Sequence, residues 1–109
     1  MRSLTETDKK KLEYLIPLYG DRIFDLVEDG LNVLDTGYNG YRPVVDLLVF
    51  CTKCGELQVI KNVDYYGYLA WRAGATIQNT LSTLSADDRE LLISGFCNKC
   101  WNETFKDYE

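Results

Sequence analysis

All four cysteines of the chain fall in two C-x-x-C pairs, CTKC at Cys51–Cys54 and CNKC at Cys97–Cys100, separated by the 42 residues 55–96. If the pairs meet, the fold is held to one narrow geometry, because four sulfurs must aim at a single point. No cysteine is left over, and the chain contains no histidine. A four-ligand site of soft donors is then all-thiolate, and a closed tetrahedral set of four thiolates is the structural kind of zinc site. The expectation is one structural zinc ion held by Cys51, Cys54, Cys97 and Cys100. A chain of 109 residues is one domain's worth and buries a limited core, so such a staple adds much to it.

Three rival readings of the cysteines stay open on sequence alone. Two disulfides need an oxidising compartment, and nothing in the sequence suggests export. Rubredoxin-like iron also uses two C-x-x-C knuckles, but its second knuckle continues as C-G, whereas Trp101 follows Cys100 here. A thioredoxin-type dithiol needs a C-x-x-C at a helix start after a strand in a βαβ pattern, and Cys97–Cys100 meets only the helix condition.

Charge limits the partners. Twelve basic against 17 acidic residues give a net charge of −5, and four thiolates on one divalent ion would add two more negative charges. That balance opposes binding to a phosphate backbone, which calls for a basic face. The lysine run Lys9–Lys11 is flanked by Glu6, Asp8 and Glu13 and reads as a solvated helix face. The start MRSLTETDKKK has no apolar h-region, so no signal peptide is expected. The apolar run Leu47–Cys51 is too short to span a bilayer. A soluble protein of the cytoplasm is expected, with no membrane partner.

The pattern predicts an α+β fold: N-terminal helices plus a zinc-ribbon-like module. Residues 1–40 read as a helical segment. Thr5 caps with Asp8 three residues on, and Leu12, Leu15, Ile16 and Tyr19 form an apolar stripe. Pro17 and Gly20 end or bend that helix. A second helix follows with Asp21 as cap, apolar Ile23, Phe24, Leu26 and Val27, and Gly30 as stop. DTGYNGYRP, Asp35–Pro43, reads as loop and as the main internal boundary.

Residues 41–109 read as the zinc-binding module, forming one compact unit with the helices. Val44–Phe50 and Glu56–Asn62 are strands joined at the first knuckle, where Gly55 permits a positive φ. Asp64–Arg72 is a short helix, stopped near Gly74. Ser85 caps another, with Leu91, Leu92 and Ile93 as its buried side and Gly95 as its end. The second knuckle starts a last helix that carries Trp101 and Phe105 on one face, and its amides would support the thiolates of Cys97 and Cys100.

No catalytic constellation stands out, and the chain is not expected to be an enzyme. Asp87, Asp88 and Glu90 are explained by the first turn of a capped helix. Histidine, an activated-serine pattern and a phosphate-cradling glycine loop are all missing. Tyr65, Tyr66, Tyr68 and Trp71 form an aromatic cluster that could stack bases. With only Lys61 and Arg72 as basic support, core packing or a protein interface fits it better.

The stretch WRAGATIQNTLSTLSADDRELLISGFCNKCW, Trp71–Trp101, resembles a group of small proteins of tailed bacteriophages and prophages. These share W-x-x-G-x-x-I-Q followed by L-S-x-x-D-R-E-x-L-I-S-G-x-C-x-x-C-[WF], with an upstream C-x-x-C hairpin. The resemblance covers roughly Val45–Phe105 and leaves the N-terminal helices outside it. It implies a phage setting, hence a host-cell cytoplasm, and a zinc-ribbon-like module whose metal ligands are Cys51, Cys54, Cys97 and Cys100. The function expected is protein–protein interaction, with inhibition of a host enzyme or defence system as the concrete version by analogy. The competing class is a nucleic-acid-binding zinc ribbon or transcription accessory factor, and a third is a redox or metal-transfer protein.

Overall fold

Val44–Phe50 is apolar at every position but Asp46. Successive strand residues point to opposite faces, so such a run is satisfied only when both faces are covered. The computed structural model describes residues 4–28 and 30–105, the Phe105 side chain excepted. In it this run is the core of β2 (Arg42–Phe50), the middle strand of a three-stranded antiparallel sheet ordered β1-β2-β3. β1 spans Leu31–Asn39 and β3 spans Leu57–Asp64.

Helices cover both faces of the sheet. The chain enters through α1 (Glu6–Leu12), a 3₁₀ turn at Glu13–Leu15, α2 (Ile16–Tyr19), a second 3₁₀ turn at Gly20–Arg22, and α3 (Ile23–Leu26). Thr5 caps α1 as expected. Asp8 N donates to Thr5 Oγ1 at 3.1 Å, and Thr5 N donates to Asp8 Oδ2 at 3.3 Å. Leu12, Leu15, Ile23 and Val27 then pack on Leu48, Phe50 and Leu57. Across the sheet, Val45, Leu47, Val49, Ile60 and Val63 pack with Ile77, Leu81 and Leu91. Those come from α5 (Ile77–Thr80), the residue after it, and α6 (Ala86–Ser94). The architecture is α+β, and no helix of the described residues is long and apolar enough to cross a membrane.

Four local expectations need correction. The helical segment expected over residues 1–40 ends at Leu26, and Leu31–Asn39 is a strand. The Asn-Gly signal does make a turn, but one of only two residues, since Asn39 already pairs with Arg42. Gly40 takes φ 66° there, and a bulge between Asp35 and Gly37 absorbs the other glycine, so the boundary expected at 40/41 is a tight hairpin. Asp21 lies in the second 3₁₀ turn, and α3 has no side-chain cap. Ile93 is 61% exposed, while Leu91 is buried. Three consecutive helical residues fan over about 200° and cannot all face one core. The face expected for Trp101 and Phe105 rests on a Phe105 side chain that lies outside the described residues.

Asp46 is the polar exception inside the run Val44–Phe50, only 3% exposed. It accepts from the Tyr14 hydroxyl, from Thr36 Oγ1 at 3.1 Å and from Asn62 N at 3.0 Å. The donors come from the helical layer, β1 and β3, so one carboxylate ties three elements. Burial, then the bond to Asp46 and its charge, push the Tyr14 hydroxyl well above its ordinary pKa. Both sheet irregularities flank this position, at Asp35/Gly37 and at Val45/Leu47.

Asp64 ends β3 and caps α4 (Tyr65–Arg72) through Gly67 N at 2.9 Å. Arg42 grips the same carboxylate with Nε at 2.7 Å and Nη2 at 2.8 Å, which holds it below the usual carboxylate range against the opposing effect of burial. Gly67 is required for a steric reason: a Cβ there would sit 2.2 Å from the Thr80 carbonyl oxygen. Gly67→Ala should therefore cost roughly 1–3 kcal/mol in urea unfolding, by forcing α4 off α5. Leu15→Ala should cost about 2–5 kcal/mol and leave one cooperative transition. A separate early transition for the N-terminal helices would show that they do not share the core.

Candidate metal centre

The first knuckle is built by the end of the β2–β3 hairpin. Cys51 N donates to the Glu56 carbonyl at 2.9 Å, and Gly55 N donates back to the Cys51 carbonyl at 2.9 Å. Gly55 takes φ 80°, the positive value expected of it. The second knuckle follows α6. Ser85 caps that helix by accepting from Asp88 N at 3.1 Å, and Gly95 ends it in the left-handed conformation at φ 79°. Cys97 precedes α7 (Asn98–Phe105), where Trp101 N donates to its carbonyl at 2.9 Å.

These two turns bring all four sequence-predicted residues together. The sulfurs of Cys51, Cys54, Cys97 and Cys100 lie within 4.8 Å of one another, with Cys54 and Cys97 Sγ 3.7 Å apart. All four thiols are free, so the set is not a pair of disulfides. Cys51, Cys97 and Cys100 are buried and Cys54 is exposed, which places the cluster just under the surface with Phe96 packed against it. Four convergent soft donors could hold one metal ion.

The backbone is arranged for negative charge at Cys51. Its sulfur accepts from Cys97 N at 3.3 Å, Lys53 N at 3.4 Å and Cys54 N at 3.5 Å. Burial would raise the Cys51 thiol, but the amides of Cys54, Cys97 and Lys53 outweigh it and bring it down to about 6. Burial pushes Cys54 and Cys100 up, and in both cases neighbouring thiols add to the rise. One sulfur is thus poised to ionise while two others resist, and a cation at the centre removes that conflict. The amide that points into the cluster is Cys97 N, which precedes α7, and the sulfur it supports is that of Cys51 rather than those of Cys97 and Cys100 as expected.

Sequence reasoning missed the contacts that lock the knuckles to each other. Thr52 N donates to the Gly95 carbonyl at 2.8 Å and Thr52 Oγ1 to the same oxygen at 3.2 Å. Lys53 Nζ donates to Thr104 Oγ1 at 2.7 Å, which ties the first knuckle to α7. Glu90, read as a first-turn acid, accepts from Trp101 Nε1 at 2.6 Å and pins α7 to α6. No local pattern announces a link such as Thr52 to Gly95. In the aromatic cluster, Tyr65, Tyr68 and Trp71 pack against the core, while Tyr66 is exposed.

The metal and the fold should be lost together. Cys97→Ser should abolish stoichiometric metal by elemental analysis and lower the unfolding free energy by about 3 kcal/mol or more. The pH dependence follows from the depressed Cys51 thiol. A group with a lowered folded pKa contributes stability above its unfolded value, and that contribution is lost as pH falls through the folded value, here about 6. A bound cation moves that loss lower still, so release to a chromogenic chelator should be confined to acid below about pH 6. Metal retained at full occupancy under strongly acidic conditions would refute thiolate ligation.

No family model, no curated protein and no solved structure matches the chain.

Proposed function

We propose that the chain is a zinc-stabilised protein of phage type that acts by binding a protein partner in the host cytoplasm, with inhibition of a host enzyme or defence system as its concrete form. Zinc is the ion that suits the donor set. A zinc–sulfur bond of about 2.3 Å places tetrahedral sulfurs about 3.8 Å apart, and Cys54 and Cys97 stand at 3.7 Å. Four thiolates complete the tetrahedron, so the ion in this reading is architectural and no position is kept for a substrate. Cys51, Cys54, Cys97 and Cys100 would hold it.

The observation that carries the partner reading is an exposed tyrosine surface. Tyr38 is 75% exposed, Tyr41 102% and Tyr66 54%, and Arg42 lies over the Tyr66 ring at 5.4 Å. Tyrosine and arginine are enriched among the few residues that carry most of the binding energy at protein interfaces, because each offers a large contact area with a polar end. Placing apolar rings in water costs free energy unless something covers them. The net charge of −5 argues against nucleic acid as that cover.

The test pairs two measurements. Natively purified protein should carry one zinc per chain with no reactive thiol, and a bait of it should retain a host protein that Tyr41→Ala releases. A labelled oligonucleotide should show no tight binding across a salt series. Tight binding that weakens steeply with salt would replace this reading with the nucleic-acid one.

A further inference from the structure

The bulge in β1 has a chemical consequence at the far end of the sheet from the cysteines. Residues paired across a ladder share a face, and β1 pairs Asp35 with Val45, Gly37 with Val44 and Tyr38 with Pro43. Val45 and Pro43 lie on the same face of β2, so Asp35 and Tyr38 do as well, although they are three residues apart. Without the extra residue Thr36, Tyr38 would point to the opposite side. That shared face is the one on which α4 brings Tyr65 and Tyr66.

Together these residues line a half-open pocket of about 410 Å³, within the size range of small-ligand sites. Val33, Pro43 and Val45 supply its apolar lining, Tyr38, Tyr65 and Tyr66 its aromatic lining, and Asp35 its one charge. Among the described residues, the Asp35 carboxylate accepts only from Gly37 N, through Oδ1 at 3.2 Å. Aromatic faces carry negative potential, and a carboxylate beside them adds a full negative charge. The fold already uses one of these rings that way, since the Arg42 guanidinium sits 5.4 Å from the Tyr66 centroid while it grips Asp64.

We propose that this cavity seats a lysine or arginine side chain presented by the protein partner. The aliphatic stem of such a side chain packs on the valines and proline, its cationic head meets the tyrosine faces, and Asp35 neutralises it. An anionic group is excluded by the same lining. The identity of the donor as a protein partner rests on the reading given under Proposed function; the preference for a cation rests on the cavity alone.

The test is a titration of ¹⁵N-labelled full-length protein with Nα-acetyl-lysinamide and Nα-acetyl-argininamide, using Nα-acetyl-norleucinamide as the uncharged control. The cations should give saturable shifts at the amides of Val33, Tyr38, Tyr65 and Tyr66, with dissociation constants on the order of millimolar. Asp35→Asn should weaken them roughly fivefold, and Tyr38→Ala should abolish them. Both positions are exposed, and an unchanged spectrum elsewhere verifies that the variants fold. Absence of saturable shifts with both cations overturns the proposal, as does an equal response to norleucinamide or undiminished binding in Asp35→Asn. The titration needs no partner. A null result beside a captured host protein removes the cavity's role and keeps the partner reading, whereas cation binding with no captured protein keeps the site and removes the partner assigned to it.

Discussion

Burial of β2 on both faces is the constraint from which the rest of the molecule follows. Leu47 and Leu48 are adjacent and both fully buried, which a strand permits only when a layer lies on each side. The layer on the Leu48 side is the N-terminal set Leu12, Leu15, Ile23 and Val27, and the layer on the Leu47 side is Ile77, Leu81 and Leu91. Each such side chain contributes about 1.5–3 kcal/mol by leaving water, so neither layer is an appendage. The same strand delivers Cys51 at its C-terminal end and receives Asp46 in its middle. Both layers, the cysteine end and the Asp46 junction are therefore set by one run of residues.

At the cysteine end, hydrogen bonding and charge divide the task of assembly. Thr52 fastens to the Gly95 carbonyl and Cys97 N aims at the Cys51 sulfur. These contacts fix where the knuckles sit. They cannot hold four ionised sulfurs together, because buried like charges repel and burial itself favours the neutral thiol. The lowered Cys51 and the raised Cys54 and Cys100 express that conflict. A divalent cation would resolve it, and metal binding and closure of the α6–α7 end would then be one equilibrium.

Features governed by local chemistry were legible in the sequence. The Thr5 and Ser85 caps, the Gly95 stop, the positive φ of Gly55, the Asp64 helix start and the convergence of the four cysteines each depend on residue type at short spacing. β1 was not legible, because Gly37, Asn39, Gly40 and Pro43 read as loop; its extended form comes from pairing with β2, and the bulge disposes of the glycine. Asp46 was equally hidden. An acid inside an apolar run is a signal, but its donors Tyr14, Thr36 and Asn62 are scattered along the chain. The misplacement of Ile93 had another cause: apolar character does not say which way a helix turns its side chain.

The metal centre and the tyrosine cavity lie toward opposite ends of β2. Pro43, in the cavity, and Cys51, at the cluster, are eight residues apart, or about 27 Å of strand. That distance is several Debye lengths in a physiological medium, so the charge of an ion at the cysteines would have little direct hold on a cation beside Asp35. A mechanical route does exist. α6 begins at its Ser85 cap and ends at Gly95, two residues before Cys97, and its Leu91 belongs to the same packed cluster as Val45. Val45 is part of the cavity lining, and Tyr65 packs against that cluster while lining the cavity too. Loss of an ion held by the four cysteines would leave the C-terminal end of α6 to its hydrogen bonds with Thr52 and Trp101, and the packing around Val45 and Tyr65 would lose part of its support. An ion held by the four cysteines would therefore act on the proposed cavity through the rigidity of the layer between them, which is the sense in which a structural metal can govern recognition without touching what is recognised.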